Sequence, residues 1–317
     1  MYFPVANIEV NPLMPPLVAF GISFFTSMGG VSGAFLLLPF QVSVLGFTSP
    51  AVSSTNQLFN IVAIPSGVYR YLKEGRMLWP LTWVVIIGTL PGVLVGAIVR
   101  IKYLPDPKNF KLFAGLVLLY MGGRLLKDLA FTKKNGNTPT TEERFQQQGK
   151  KQPQTTGIEA DSCKHLSCVT VRQWTPTRIV YDFYGETFTV NAMGLLALSL
   201  VVGMVGGVYG IGGGAIIAPF LVSFFGLPIY TVAGASLMGT FVTSVAGVIF
   251  YQILAPHYPG MVIAPDWFLG FLFGIGGFAG MYCGARLQKF VPAKFIKWIL
   301  VMCLLITAGK YIRDFLF

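Results

Sequence analysis

The chain has 317 residues, of which 54% are hydrophobic and only 11% are charged, and its mean hydropathy is +0.67. Because a soluble domain carries about 25% charged residues, this composition excludes a soluble globular protein and indicates an integral membrane protein. The net charge of +11 does not indicate nucleic-acid binding, since the sequence has no basic folded surface with interleaved aromatic residues. Basic residues near membrane ends more often set topology and contact lipid.

The first half of the sequence contains four apolar segments, at about 13–46, 50–71, 79–99 and 110–126. The first is much longer than the ~20 residues that one membrane span needs. Two glycines near its middle and a later proline interrupt it, so we expect a broken or re-entrant helix there. In the third segment glycine recurs every four residues, which gives a helix face suited to close contact. These glycines are Gly88, Gly92 and Gly96.

Residues 132–189 differ from the segments on either side because they are rich in Lys, Gln, Thr, Glu and Gly. The low-complexity stretch 146–154 is typical of flexible chain, so we expect a polar extramembrane linker. Cys163 and Cys168 lie in it on either side of His165. They are open to three interpretations: a disulfide in an oxidising compartment, two ordinary loop cysteines, or a metal site, although the latter would lack one ligand of a closed set.

The second half of the sequence repeats the first, with apolar segments at about 190–226, 228–254, 267–287 and 292–316. A constant offset of 180 residues pairs Gly33 with Gly213 and Pro39 with Pro219. The offset grows to 188 in the third segment, and the eight extra residues fall around the loop 256–262. The second glycine stripe is Gly276, Gly280 and Gly284.

These patterns predict an all-α polytopic membrane protein. It consists of two homologous repeats of about four hydrophobic segments each, with broken or re-entrant Gly-rich first helices. The repeats occupy residues 1–131 and 190–317, and the linker 132–189 joins them. Basic residues flank segment ends on both sides, so the positive-inside rule leaves the orientation open. Arg70, Arg100 and Arg286 end apolar segments, and we expect them to snorkel; attraction of an anion to the entrance is the lesser alternative.

The densest glycine run lies at residues 206–214, where four glycines fall within the last five positions. Glycine at this density weakens a helix and leaves backbone groups unpaired. A bilayer tolerates such backbone only where it is buried in protein or lines a cavity. We interpret the run as an opened backbone that presents N–H groups, and small residues that only let helices approach remain the alternative. It has no Walker lysine, so it is not a nucleotide loop.

All twelve acidic residues lie in loops or near segment ends. Cation pumps and carboxylate proton relays need acidic groups inside the membrane, so this distribution argues against cation transport. An anion site instead needs uncharged donors and helix N-termini. His165 and His257 have no obvious catalytic partner. The sequence therefore predicts no enzyme, no cofactor and no metal site.

Uncharged donors cluster just after each glycine-rich break, on corresponding faces of the repeated helices. Such groups beside broken helices are the best sequence indication of a central site, although hydroxyls that only bond neighbouring helices remain the alternative. The predicted substrate-binding residues are Gly33, Ser53, Asn56, Asn60, Gly212, Gly213, Gly214, Ser236, Thr240 and Thr243.

The stretches 210–220 (GIGGGAIIAPF) and 233–240 (AGASLMGT), with fainter copies at 30–40 and 51–60, resemble the TauE/SafE family of sulfite exporter, or TSUP-type, permeases. The resemblance covers nearly all of the chain except the linker. It implies export or uptake of small oxidised-sulfur anions or organosulfonates, coupled to an ion gradient. The first repeat departs from the pattern, because Gly30-Val-Ser-Gly-Ala stands where a glycine run is expected.

The sequence thus predicts a secondary transporter in the cell membrane that moves a small anion, such as sulfite or an organosulfonate, by alternating access. Its partners are the anion, the lipid bilayer and a coupling ion, and no nucleic acid. A passive anion channel, or a membrane sensor or scaffold that acts through the linker, are the alternatives. The sequence fixes neither the anion, the direction, the coupling ion nor the oligomeric state.

Overall fold

The structure is a computed structural model that describes residues 1–28, 31–73, 75, 77–131, 169–183, 186–287 and 293–316. Within these residues ten α-helices form, and five candidate spans are long and apolar enough to cross a membrane. The fold is therefore the predicted all-α polytopic membrane protein. In chain order the helices are α1 (Met14–Met28), α2 (Ala34–Ser43), α3 (Ala51–Lys73), α4 (Trp79–Lys102), α5 (Pro107–Phe131), α6 (Ala192–Tyr209), α7 (Gly213–Phe225), α8 (Ile229–Leu254), α9 (Trp267–Leu287) and α10 (Ala293–Leu316).

The first apolar segment of each half forms two helices instead of one, as its glycines and proline predict. Residues 31–33 precede α2 without helical structure, and residues 210–212 separate α6 from α7. The other segments form single helices close to the expected bounds. Local signals set several ends: the Asn191 side chain accepts hydrogen bonds from the Met193 and Gly194 N–H groups at the start of α6, both at 3.1 Å.

The two glycine stripes let helices approach to backbone contact. In α4 the stripe faces the carbonyls of residues 196, 200 and 204 on α6, and in α9 it faces those of residues 16, 20 and 24 on α1. A Cβ on any of these glycines would collide with the facing backbone. The contacted carbonyls differ by 180 residues, the same offset that relates the glycine-rich breaks in the sequence.

In the described part of the chain, corresponding helices of the two halves pack on corresponding partners. Helix α4 packs on α6 while α9 packs on α1, and α3 packs on α9 while α8 packs on α4. The remaining large contacts join each helix to its own counterpart, α3 to α8 and α5 to α10. This is the pattern that two copies related by a two-fold axis would make. The common origin of the halves stays a prediction.

Part of the predicted linker folds into an antiparallel sheet, so the expectation of flexible chain was wrong for residues 169–183 and 186–189. Strands β3 (Thr170–Trp174), β4 (Arg178–Phe183) and β5 (Glu186–Asn191) lie in that order; β1 (Tyr2–Phe3) and β2 (Ile8–Glu9) form a separate N-terminal pair. Ile179, Tyr181 and Phe183 alternate on the buried face of β4. This period-two pattern was hidden among polar residues. Residues 132–168 lie outside the described residues.

The sheet rests on the helices through Tyr181, whose hydroxyl lies 3.1 Å from that of Thr231 in the first turn of α8. Burial raises the pKa of Tyr181 to about 12, partly offset by this hydrogen bond. On the outer side, hydrogen bonds from Thr187 and then from Arg172 lower the pKa of Asp182. The sheet is thus a fixed part of the fold at one end of the helices.

The helix ends define two faces of the molecule. At the sheet face, β5 leads directly into α6 and β4 contacts the start of α8. The opposite face carries the starts of α3 and α9, where the Asp266 N–H donates to the Thr55 hydroxyl at 2.9 Å. Helix α1 also begins there, since it runs parallel to α9 and the preceding Phe3 stacks on Phe268 with ring centroids 6.0 Å apart.

Helices α1 and α3 therefore begin at one face, and α6 and α8 begin at the other. The chain between each pair must enter and return, so α1–α2 and α6–α7 are re-entrant hairpins that come from opposite faces. The same topology explains why the positive-inside rule did not predict the membrane orientation. Helix α4 ends at the opposite face, with Lys102 exposed, whereas α9 ends at the sheet face, with Arg286 exposed. The basic residues at the ends of these two corresponding helices therefore lie on different sides of the molecule.

Arg100 does not snorkel, contrary to the sequence-based expectation. Its side chain is fully buried at the end of α4, whereas Arg286 is exposed as expected. The reason is local packing, since the end of α8 and the loop after it cover this turn of α4. Ile101, Tyr251 and Ile263 are buried together there.

Candidate functional site

The second glycine-rich break opens the backbone between α6 and α7. Gly210 (φ 79°) ends α6 and Gly212 (φ 74°) precedes α7. Residues other than glycine rarely adopt a positive backbone φ of this size, so both positions require glycine. At Gly210 the chain also approaches α3 closely, because a Cβ would lie 2.5 Å from the Cα of Ser53. Unwound backbone thus lies directly against α3.

Asn60 on α3 connects both breaks with the counterpart helix α8. Its Nδ2 donates to the Ile211 carbonyl at 3.0 Å and to the Ser244 hydroxyl at 3.3 Å. Its Oδ1 accepts a hydrogen bond from Ser32 in the loop between α1 and α2. The Ser32 oxygen in turn accepts from the Ala34 N–H at 3.2 Å. One buried amide therefore joins both interrupted helices and both long central helices.

Ser53 and Asn56, the other predicted site residues on α3, are also fully buried. Ser53 donates to the Val208 carbonyl, at the end of α6, at 3.3 Å. Asn56 donates to the Ala34 carbonyl at 2.9 Å and accepts from the Gln41 amide at 3.3 Å. The predicted face of α3 is therefore turned toward the protein interior, where it contacts backbone of both hairpins.

The three α8 residues predicted for the site differ in their hydrogen bonds. The Thr240 hydroxyl donates to the Ser236 carbonyl at 2.8 Å, which is the within-helix bond of the structural alternative. Thr243 donates to the Gly239 carbonyl at 2.7 Å and accepts from the Gly213 N–H at 3.3 Å, so it holds the start of α7. The buried Ser236 hydroxyl has no hydrogen-bond partner in the structure, which leaves it available to a ligand.

The predicted glycines of the site lie where neighbouring elements leave no room for a side chain. A Cβ would meet α1 at Gly33, α4 at Gly213 and α8 at Gly214. Close packing is therefore sufficient to require glycine at Gly213 and Gly214, whereas Gly33 meets only the Ser23 side chain closely and Gly212 is required by its backbone conformation. The structure brings all four beside α3 and α8, and their part in binding substrate stays a prediction.

Interrupted helices around a buried, uncharged centre fit a membrane transporter. Among protein-family models, the one described as sulfite exporter TauE/SafE matches residues 16–311, nearly the whole chain. The chain belongs to the TauE/SafE family. Comparisons with curated proteins and with solved structures gave no match. As a TauE/SafE protein it is a multi-pass membrane protein of a transporter family, and this family is not one of enzymes.

Gln57 is a further candidate site residue, which the sequence-based prediction left out. It is fully buried, and neither its Nε2 nor its Oε1 has a hydrogen-bond partner in the structure. The amide lies against Gly247 of α8, where a Cβ would collide with it. Helical spacing contained the signal, since Gln57 lies four residues after Ser53 and three before Asn60 on the same face.

The remaining candidate groups lie apart from this centre. Cys283 is half-buried and Cys303 is exposed, in α9 and α10. His257 is exposed, with its Nδ1 3.2 Å from the Ile253 carbonyl. The described residues contain no group of three metal-ligating side chains. Cys163, His165 and Cys168 lie outside the described residues.

Proposed function

We propose that this TauE/SafE protein is a secondary transporter that moves a small oxidised-sulfur anion, such as sulfite or an organosulfonate, by alternating access. The observation that carries the proposal is the Asn60 centre, where two re-entrant hairpins and two long helices meet around uncharged hydrogen-bonding groups. The family supports transport, and the chemistry of this centre supports an anion.

An anion that leaves water must replace its hydration with N–H and O–H donors. The Ser236 hydroxyl and both polar groups of the Gln57 amide have no partner in the structure and lie on the central helices. The first turn of α7 adds N–H groups that no preceding helical turn can accept, with the positive end of its dipole. No acidic side chain is among these residues, so nothing there repels an anion.

The hairpins enter from opposite faces, which supports alternating access. Each hairpin packs on the central helix of its own half. It also packs on a helix of the other half, with α6 on α4 and α1 on α9. Rocking of one half against the other would expose the same centre first to one face and then to the other. A fixed central site with two inverted halves is what such transport requires.

Reconstitution tests the proposal. We expect purified protein in proteoliposomes to take up sulfite, under anaerobic conditions, with saturable kinetics and with counterflow from preloaded vesicles. Sulfate, thiosulfate, taurine and sulfoacetate as competitors would define the substrate class, and imposed proton or sodium gradients would identify the coupling ion.

The kinetic form of the flux separates the alternatives. Uptake that rises linearly with sulfite concentration and shows no counterflow would indicate a passive channel instead of a carrier. Absence of flux for every one of these anions, in protein that unfolds cooperatively, would contradict a transport function.

A further inference from the structure

Arg100 is a buried cation that the proposed transport site does not yet use. Its side chain is fully buried, and it is the largest side chain among those that the described residues enclose completely. Asp266 is the other charged residue that the described chain buries, and its carboxylate accepts the Leu269 N–H at the start of α9. A buried charge inside a membrane protein is costly and usually has a function.

The surroundings of Arg100 satisfy only part of its guanidinium. Nη1 donates to the Leu104 carbonyl, and the guanidinium carbon lies 3.8 Å from the centre of the Phe110 ring. Nε and Nη2 have no hydrogen-bond partner in the structure. Among the described residues, the ion pairs found lie elsewhere, at Arg172 and Arg313. Two N–H groups of a planar fork are therefore open to an oxyanion, a geometry that arginine binds well.

A short series of polar groups leads from Arg100 to the candidate central site. The buried Tyr251 side chain of α8 interacts electrostatically with Arg100 and also lies beside the Ser53 hydroxyl. Ser53 contacts the end of α6 and the glycine-rich break. Arg100 thus lies between the centre and the opposite face, where α4 ends.

The loop after α8 packs beside Arg100, on the neighbouring Ile101 at the end of α4. Ile263 is buried against Tyr251 and Ile101, and Tyr258 and Met261 pack around them. The excess of eight residues in the second half over the first falls around this loop. The position that corresponds to Arg100 in the second half, 188 residues later, is Gln288, which has no charge. Among the described residues, Arg100 is the buried cation, and it lies toward the opposite face.

We propose that Arg100 forms a second anion-binding position, between the Asn60 centre and the opposite face, where its unpartnered guanidinium N–H groups bind a substrate oxyanion when the packing around them opens. The inference rests on the proposed anion transport and names a residue that this transport needs. Arg100 supplies the positive charge that the uncharged centre lacks, on the side where the second half has its insertion.

Sulfite binding and sulfite uptake test the proposal with three variants: Arg100→Gln, Arg100→Lys and Lys102→Gln. The last removes an exposed cation two residues away and serves as the matched control. We expect sulfite to raise the unfolding temperature of the wild type and of Lys102→Gln, relative to chloride at equal ionic strength, and not that of Arg100→Gln. In uptake, Arg100→Gln should raise KM at least roughly tenfold.

Arg100→Lys keeps the charge and loses the planar guanidinium. It therefore tests anion binding even if Arg100→Gln fails to fold. We expect a several-fold increase in KM with an unchanged unfolding temperature in the absence of sulfite. If wild-type protein transports sulfite and the KM of both Arg100 variants is unchanged, the inference is overturned and the transport function stands. If sulfite stabilises only proteins that retain Arg100 while no transport occurs, the binding position stands and the transport function does not.

Discussion

At the scale of single residues, the centre of the molecule depends on a few buried amides and hydroxyls. Asn60 uses both its donor and its acceptor to hold four elements together. Ser236 and Gln57 are buried equally well but leave their polar atoms without partners. A buried polar atom without a partner costs about 1–3 kcal/mol, so these atoms do not stabilise the fold, and the proposed transport gives them a role in ligand binding.

Ser236→Ala separates these two roles. Because the hydroxyl makes no hydrogen bond in the structure, its loss should leave the thermal unfolding of the purified protein unchanged or slightly improved. Its loss from the centre should raise the KM for sulfite by roughly threefold to tenfold, the value of one neutral hydrogen bond. Uptake kinetics in proteoliposomes measure this effect.

Ser199→Ala is the control for that experiment, because the Ser199 hydroxyl is also buried without a partner but lies on α6, ten residues before its end. We expect this variant to keep the wild-type KM. Equal effects of the two substitutions on KM, or no effect of either, would remove Ser236 from the site.

At the scale of elements, the interruption between α6 and α7 combines an unusual backbone conformation with close packing. Gly210 has both features, since it has a positive φ and lies against the backbone of Ser53. Gly226, at the end of α7, has a positive φ of 63° but open space around it. The two positions therefore allow the cost of conformation to be measured apart from the cost of packing.

We expect Gly226→Ala to lower stability by about 1 kcal/mol, the cost of a left-handed alanine. Gly210→Ala should cost more, by a further 1–3 kcal/mol or so, because the methyl group must also push α3 away. Unfolding temperatures of the two purified variants, compared in the same detergent, measure the difference. Equal losses would show that the break does not pack on α3 as described.

At the scale of the whole molecule, two re-entrant hairpins from opposite faces surround α3 and α8, and a small sheet closes one face. The sheet is fixed to α8 through Tyr181 and Thr231. It is thus part of the helical fold, whereas residues 132–168 connect α5 to the sheet at the same face. Transport by the helices should therefore not need the sequence of that connection.

Replacement of residues 134–167 by a Gly/Ser segment of equal length tests this expectation. Uptake kinetics should stay within about twofold of the wild type, since none of the residues of the Asn60 centre is changed. Loss of transport together with an intact unfolding transition would instead favour a function of the linker, as in a sensor or scaffold.

Much of this fold was predictable because membrane burial leaves a simple signal. The lengths of the apolar segments identified the helices within a few residues, because a span needs about 20 apolar residues. Glycine density identified the interruptions, because a bilayer tolerates unpaired backbone only where protein buries it or a cavity surrounds it. The glycine stripes indicated close helix contact, but only the structure showed which carbonyls they face. The faces of α3 and α8 that carry Asn60 and Ser236 followed from helical spacing and proved to be buried.

The sequence by itself determined that the chain spans a membrane, that its first segments are interrupted, and that its centre lacks carboxylates. Only the tertiary structure decided that the hairpins enter from opposite faces, that the Gln57 amide is buried without a partner, and that Arg100 is enclosed instead of snorkelling. The physical reason is that composition and periodicity report how each segment relates to lipid. The burial of one side chain depends on which other segments cover it, and for Arg100 these include the Phe110 ring of α5 and Tyr251 of α8.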